Sequence, residues 1–167
     1  KKITLALKSQ QAHDPRILLN AKEAGANTPQ LAVIADSTGD PNCVPVVASS
    51  DDGNVAANAI DNDLNTRWSA TGNGQWIQFC LGNAATVTGV DIAFYKGDTR
   101  RALFDVLVSL DGTNWSNAAT GLQSSGTSLN FESFSFTART AKYVRILGHG
   151  NNVNDWNSYA EVKIKTN

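Results

Sequence analysis

The chain has 167 residues, of which 41% are hydrophobic and 17% charged, and its formal net charge is −1. This length suits one domain plus an additional segment. The near-neutral charge disfavours a nucleic-acid surface built on bulk positive charge. No stretch approaches the roughly 20 apolar residues that a membrane-spanning helix requires. Abundant Gly, Asn, Thr and Ser, with no Met, favour loop-rich β structure.

Three short apolar runs occupy the first 35 residues: ITLAL (3–7), RILLN (16–20) and QLAVI (30–34). Each run has the length of a strand, and Gly and Pro residues separate them. Three strands cannot bury a core of their own at this size. We therefore expect residues 1–35 to complete another surface: an upstream module, a neighbouring chain or the following domain. The N-terminal alternation of apolar and polar residues differs from a signal peptide, which predicts that the chain begins inside a larger protein.

Residues 36–45 (DSTGDPNCVP) have the composition of a linker. They contain Cys43, and the other cysteine, Cys80, lies in the apolar run WIQFCLG. The pair is compatible with one disulfide in an extracellular protein. Two buried free thiols are the alternative, and the spacing alone does not decide between them.

From residue 46 onward, strand signals recur at the spacing of an all-β sandwich. Apolar residues alternate with polar ones, which places them on one face of each strand. No segment longer than ten residues has a helical period. The sequence therefore predicts an all-β fold, an antiparallel jelly-roll-like β-sandwich over residues 46–167. Its predicted strands are 76–82, 86–95, 104–109, 132–137, 142–147 and 160–165.

Several motifs in this domain resemble the discoidin-like, or coagulation-factor type C, family: ASSDDGNVAANAIDNDLNTRWSATGNGQWIQFCLG (48–82), VSLDGTNW (108–115), YVRILGHGN (143–151) and WNSYAEVKI (156–164). Within that family the chain is most similar to bacterial carbohydrate-binding module family 32. The segments FYKGDTRRALFDV and GNNVNDWNS further resemble modules attached to secreted alginate lyases. Residues 1–35 resemble the last strands of an upstream β-sandwich carbohydrate-binding domain.

The segment NAIDNDLNTRW concentrates oxygen donors in a short loop. Calcium takes six to eight hard oxygen ligands in flexible geometry, and the resemblance implies a structural Ca²⁺ there. The alternative is a solvated Asp/Asn turn, with Glu161 on an exposed strand face. The implied ligands are the carbonyl of Asn58, the side chains of Asp61 and Asp63, the carbonyl and hydroxyl of Thr66, the carbonyl of Ala160 and the carboxylate of Glu161.

Two further segments, 95–101 and 148–158, have the residue types of a sugar site. Aromatic rings stack on sugar C–H faces, amides meet hydroxyls, and Arg pairs with a uronate carboxylate through two hydrogen bonds. Alternatively Trp156 caps the core, Arg101 pairs with Asp98, and His149 is a plain turn residue. Trp68 and Trp76 lie at strand-like positions and are assigned to the core, and Arg67 is assigned a structural role. The candidate ligand-binding residues are Tyr95, Lys96, Arg100, Arg101, His149, Asn151, Asn152, Asn154 and Trp156.

No catalytic motif is present: neither histidine has zinc-type spacing, and no Gly-x-Ser-x-Gly elbow occurs. We therefore expect a secreted, non-catalytic module that anchors a covalently linked polysaccharide-degrading domain to an acidic glycan, with alginate the expected polymer. The alternatives are a binder of neutral galactosides or N-acetylhexosamines, a cell-adhesion or phospholipid-binding discoidin-like domain, and a structural spacer. The polar loops 71–75 and 95–101 disfavour a membrane partner.

Overall fold

A computed structural model of the chain describes residues 43–167, so the strands predicted within residues 1–35 lie outside the described residues. Residues 43–167 form seven strands and one short 3₁₀ helix, Ala56–Ala59. None of the helices in this part of the chain is long and apolar enough to cross a membrane. The strands are β1 (Val46–Ala48), β2 (Trp68–Thr71), β3 (Gln75–Phe94), β4 (Ala102–Ser109), β5 (Ser116–Gln123), β6 (Glu132–Asn151) and β7 (Trp156–Thr166).

All strand pairings are antiparallel, in the order β2-β7-β3-β6-β4-β5 with β1 beside β3. The all-β prediction is thus confirmed. Its boundaries change, because 76–82 and 86–95 form one 20-residue strand, as do 132–137 and 142–147. The register of β3 against β6 shifts after Cys80 and again after Val87. Such bulges bend a strand, so the first half of β3 pairs with β1 and its second half with β7.

The core lies between the sheet faces and contains an aromatic cluster. Phe104 of β4 has its ring centroid 5.7 Å from Phe94 and 5.0 Å from Phe134, and Trp68 lies 5.4 Å from Tyr159. Centroid separations in this range are favourable for tilted and edge-on aromatic pairs. The assignment of Trp68 to the core is confirmed, since its side chain is fully buried.

Trp76 does not belong to this core, contrary to the sequence expectation. Its neighbour Ile77 points inward and is fully buried, so the alternation of β3 turns Trp76 outward. There the guanidinium of Arg145 stacks between two indoles, 4.1 Å from the ring of Trp76 and 4.0 Å from that of Trp115. The two Trp residues therefore form a cation–π sandwich on the outer face of the sheet.

β5 was not predicted as a strand because SNAATGLQ carries few apolar residues and no period-two pattern. Pairing with β4 imposes the strand conformation on this segment. Leu103, Phe104 and Val106 of β4 pair with Gln123, Leu122 and Ala119. β5 is therefore an edge strand templated by the neighbouring β4.

A disulfide joins Cys43 to Cys80, so the free-thiol alternative is wrong. The Sγ atom of Cys43 also accepts a hydrogen bond from the backbone N–H of Gly82 at 3.2 Å. The bond links the segment before β1 to the first half of β3.

Loss of this disulfide should lower the free energy of unfolding. The cysteines are separated by 37 residues, for which the chain-entropy model gives a contribution of roughly 3–4 kcal/mol. We expect urea unfolding of the wild type to shift to lower denaturant in reductant, while the Cys43→Ser/Cys80→Ser variant is insensitive to reductant. Two alkylatable thiols in the non-reduced protein would contradict the bond.

Candidate functional site

An open cleft of about 230 Å³ lies at the end of the sandwich where β3 ends and β7 begins. Residues from three connections (β1–β2, β3–β4 and β6–β7) and from strands β2 and β7 meet there, and both sequence-predicted segments contribute. A smaller indentation beside it adds Ala102 and Asn151. The cleft is lined by Asp52, Arg67, Ser69, Tyr95, Lys96, Arg100, Asn154, Trp156 and Ser158.

The turn between β3 and β4 positions two of the cationic side chains. The carbonyl of Lys96 accepts hydrogen bonds from the backbone N–H groups of Thr99 and Arg100 at 3.0 and 2.9 Å. Lys96 itself has a φ of 53°, in the left-handed region that non-glycine residues rarely adopt. The structure thus places Lys96 and Arg100, two of the predicted ligand residues, on the lining of one cleft.

The connection between β6 and β7 is held by amide side chains. Oδ1 of Asn151 accepts from the N–H groups of Val153 and Asn154, at 2.9 and 3.1 Å, and its Nδ2 donates to the carbonyl of Trp156 at 2.8 Å. The Asn151 side chain is therefore engaged by its own loop. Trp156 is half-buried and lines the cleft rather than joining the core cluster, so it does not act as a core cap.

Three of the predicted ligand residues line neither the cleft nor the indentation beside it. Arg101 donates through its Nε to the carbonyl of Ser125 at 3.3 Å rather than pairing with Asp98. Its backbone N–H donates to Oδ1 of Asn152 at 2.7 Å, so Asn152 fastens one loop to the other. His149 lies on β6 with its ring nitrogens 2.7 Å from Asn73 Oδ1 and 3.1 Å from Asp105 Oδ2. Arg101 and Asn152 thus join the β3–β4 and β6–β7 connections, whereas His149 links the β2–β3 turn to β4.

Arg67 is a cleft residue that the sequence analysis assigned to a structural role. Its guanidinium carbon lies 4.0 Å from the centroid of the Tyr95 ring, and the residue lines the cleft. Arg67 immediately precedes β2, and period-two alternation from the buried Trp68 predicts that its side chain points away from the core; this was the one sequence signal for its exposure. With Lys96 and Arg100 it gives the cleft three cations. The only lining carboxylate is Asp52, whose pKa is lowered by its hydrogen bond from the Asn54 amide.

The acidic loop before β2 gathers oxygens around the hydroxyl of Thr66. This Oγ1 lies 2.7 Å from Asp61 Oδ2, 3.0 Å from the carbonyl oxygen of Asp63 and 3.4 Å from that of Asn58. Glu161 of β7 approaches the same loop, because its Oε1 accepts a hydrogen bond from the Asn62 N–H at 2.6 Å. The predicted cation ligands from the two ends of the domain are therefore close together.

Glu161 is only 2% exposed, so its assignment to an exposed strand face is wrong. Burial raises the pKa of its carboxyl, and the neighbouring Asp61 raises it further. The two ion pairs recorded among residues 43–167 are His149–Asp105 and Lys165–Asp91, and they involve neither Asp61 nor Glu161. The paired carboxylates thus lack a protein counter-charge within the described residues.

Asp63 takes part in the hydrogen bonds of the loop through both its carboxylate and its carbonyl. Its carboxylate accepts hydrogen bonds from the backbone N–H and Nδ2 of Asn65, at 2.9 and 2.8 Å, and only its carbonyl faces Thr66. In residues 43–167 no three Asp, Glu, His or Cys side chains converge. Any cation held here would therefore depend on carbonyl and hydroxyl oxygens as well as on the two carboxylates. Ala160 lies beside Glu161 on β7 and is buried.

Comparison with known proteins identifies this architecture. A model of the F5/8 type C domain matches residues 45–162. The CBM32 of AlyQ, solved in complex with 4,5-unsaturated mannuronic acid, is 48% identical with a TM-score of 0.71, and the match covers 74% of this chain and 95% of that one. A truncated AlyQ with CBM32 and alginate lyase domains gives the same identity and TM-score over 32% of its length and 74% of this chain. A pectin-binding module is 35% identical with a TM-score of 0.70, covering 74% of this chain and 91% of its own.

No curated protein matches the chain. The family match and the module at 48% identity nevertheless agree on the class of protein. The chain belongs to the F5/8 type C family. Within that family its described domain is a carbohydrate-binding module of family 32, a non-catalytic binding module.

Removal of the buried amide of Asn157, which bonds two segments near the cleft, should lower the free energy of unfolding of the domain. Asn157 is 1% exposed; its Oδ1 accepts from the Gly150 N–H and its Nδ2 donates to the Gly72 carbonyl, both at 2.8 Å. Asn157→Ala leaves both backbone groups without this partner, at a cost of roughly 1–3 kcal/mol each. Asn117→Ala, on the exposed edge strand, is the matched control. Equal urea midpoints for the two variants would contradict this role.

Proposed function

We propose that this module binds an acidic polysaccharide of the uronate class, with alginate as the leading polymer. In doing so it holds a covalently linked polysaccharide-degrading domain on its substrate outside the cell. The observation that carries the proposal is the open, cationic cleft. Among residues 43–167, neither the guanidinium of Arg100 nor the ammonium of Lys96 has a hydrogen-bond or ion-pair partner, and both line this cleft.

The cleft has the chemistry that a charged sugar requires. A guanidinium can meet a carboxylate through two parallel hydrogen bonds, which fixes the orientation of the sugar as well as attracting it. The half-buried indole of Trp156 offers an apolar face to the sugar ring, and the Arg67–Tyr95 stack forms a second wall. Asn154 and Ser158 supply polar groups for hydroxyls. The AlyQ module, solved with an unsaturated mannuronic acid, supports a uronate ligand for this chain.

Secretion is proposed on chemical grounds. Disulfides persist in oxidising, extracytoplasmic environments and are rare in the cytosol, and Cys43 and Cys80 are bonded.

A structural Ca²⁺ is proposed for the loop that contains Asp61. The observation that supports it is the buried carboxylate of Glu161, which lies beside the exposed carboxylate of Asp61 and has no basic partner within the described residues. The oxygens that would hold the ion are the carboxylates of Asp61 and Glu161, the carbonyls of Asn58, Asp63 and Ala160, and the carbonyl and hydroxyl of Thr66. A divalent cation would neutralise the pair and join the β1–β2 connection to β7.

Uronate binding is expected to depend on Arg100. Calorimetric titration with mannuronate oligosaccharides should give an affinity in the micromolar-to-millimolar range that falls with ionic strength. Arg100→Ala should weaken binding by about tenfold or more, since a hydrogen bond to a charged group contributes roughly 1.5–3 kcal/mol. Lys96→Ala, which removes a point charge, should weaken it less.

The control for this experiment is Arg139→Ala, which removes the same charge from an exposed position outside the cleft. Its affinity should equal that of the wild type. Binding of galactose with no binding of uronates, or equal losses in the Arg100 and Arg139 variants, would show that the uronate assignment is wrong.

Calcium is expected to stabilise the fold. A ligand that binds only the native state adds about 2.7 kcal/mol at 100 times its dissociation constant. Thermal melting of the wild type should therefore shift down in EDTA and recover with CaCl₂, whereas Asp61→Asn should shift little on either addition. An EDTA-insensitive melting temperature in the wild type would rule out the ion.

A further inference from the structure

A second open cleft adjoins the first. Its volume is about 530 Å³, within the range of roughly 300–1,000 Å³ typical of small-molecule sites. Its apolar surface includes Leu64 and Leu129, which are 47% and 54% exposed. It is lined by Leu64, Asn65, Phe94, Tyr95, Lys96, Asp98, Leu129, Asn130 and Ala160.

The two clefts share one wall, formed by Tyr95 and Lys96, which line both. The Nζ atom of Lys96 lies 5.6 Å from the centroid of the Tyr95 ring. The main chain of Lys96 is held in the left-handed region by the turn that it begins. Backbone conformations of this kind cost free energy and are often found at binding sites. Lys96 is therefore placed on a ridge between two depressions.

Contacts with Gly97 also fix the far wall of the second cleft. The N–H of Ser128 donates to the carbonyl of Gly97 at 3.1 Å. A Cβ atom at Gly97 would collide with the carbonyl oxygen of Ser128, so the absence of a side chain allows this close approach. The segment that presents Leu129 and Asn130 is thereby docked against the turn that presents Lys96 and Arg100.

We propose that the Leu64–Leu129 cleft is a second saccharide subsite, so that the module recognises two or more consecutive sugar residues of one chain. This inference rests on the proposed uronate binding at the first cleft. A chain seated there on Trp156 and Arg100 reaches the second cleft by crossing the Tyr95–Lys96 ridge. The ammonium of Lys96 then lies between two adjacent sugar residues and pairs with a carboxylate of either.

The lining of the second cleft fits a sugar ring of the same polymer. Exposed leucines offer apolar contact to C–H faces, while the amides of Asn65 and Asn130 offer hydrogen bonds to hydroxyls. Asp98, the carboxylate in the lining, would repel an acidic ring placed directly on it. The expected contacts with the second ring are therefore with its hydroxyl and C–H groups, and its carboxylate turns towards Lys96.

The dependence of binding affinity on oligosaccharide length tests the proposal. Calorimetric titration of the wild type with mannuronate monomer, dimer, trimer and tetramer should show an affinity that rises by about fivefold or more from monomer to trimer. Leu129→Ser should leave monomer affinity unchanged and remove most of this gain. Leu64→Ser should act in the same direction, but Leu129 is the sharper probe because it lies outside the acidic loop.

Leu110→Ser is the matched control, since Leu110 is 59% exposed and lies in the β4–β5 connection, outside both clefts. It should retain the full gain. Length-independent affinity in the wild type, or an undiminished gain in Leu129→Ser, would overturn the second subsite while leaving the first intact. Absence of monomer and oligomer binding would instead overturn the proposed function and, with it, the subsite.

Two exposed leucines could also contact a lipid surface, and a vesicle-binding experiment distinguishes that alternative from a sugar subsite. Sedimentation with phosphatidylserine vesicles should leave the wild type in the supernatant. Co-sedimentation that Leu64→Ser and Leu129→Ser abolish would assign these leucines to a lipid surface and overturn the sugar subsite. Melting temperatures within a few degrees of the wild type will establish that each variant is folded.

Discussion

The antiparallel pairing of β3 with β6 constrains every other element of the domain. Both strands are 20 residues long, and their paired residues extend from Gln75–Gly148 to Ile92–Glu132. β1 and β7 attach to different halves of β3, and β4 attaches to the second half of β6. The register shifts bend the β3–β6 pair, and these two strands therefore contribute to both layers of the sandwich. The ends of the two strands then determine where the loops emerge: β3 delivers the Lys96 turn and β6 the Asn151 loop.

The cleft combines fixed supports with unsatisfied charges. Amide and backbone hydrogen bonds occupy Asn151, Asn152, Asn157 and the main chain of the Lys96 turn, so the loops need no ligand to hold their shape. The charged ends of Lys96 and Arg100 have no hydrogen-bond or ion-pair partner among the described residues. A preorganised site of this kind loses little conformational entropy on binding. It is also shallow and wet, so modest affinity for one sugar is expected, and repeated contacts along a chain are a direct way to increase it.

The acidic loop performs a different task from the cleft. Glu161 is buried beside another carboxylate, an arrangement that costs free energy unless a proton or a cation compensates. The same loop presents Leu64 and Asn65 to the second cleft. Compensation of the carboxylates would therefore stabilise the junction between β7 and the β1–β2 connection, and also one wall of the proposed subsite. The proposed calcium site and the proposed subsite therefore share the nine residues from Asn58 to Thr66.

The sequence by itself determined the class of fold and much of the composition of the site. Period-two alternation placed Val90, Ile92 and Phe104 in the core, and motif resemblance identified the two loops that meet at the cleft. Local pattern could not show that neighbouring strand segments were continuous, because a bulge keeps the hydrogen-bonded ladder while interrupting the alternation. It also could not identify β5, whose strand conformation is imposed by β4.

Only the tertiary structure decided which polar side chains face the cleft. Arg100 and Arg101 are adjacent in sequence and identical in chemistry, yet one lines the cleft and the other donates to Ser125. Asn151, Asn152 and Asn154 share a composition that suggests ligand binding, but the loop's own backbone and its neighbour use most of their amides. Arg67 became a cleft residue through its stacking on Tyr95, 28 positions away in the sequence. These differences arise because hydrogen-bond partners and exposed faces are set by segments distant along the chain, which no local motif records.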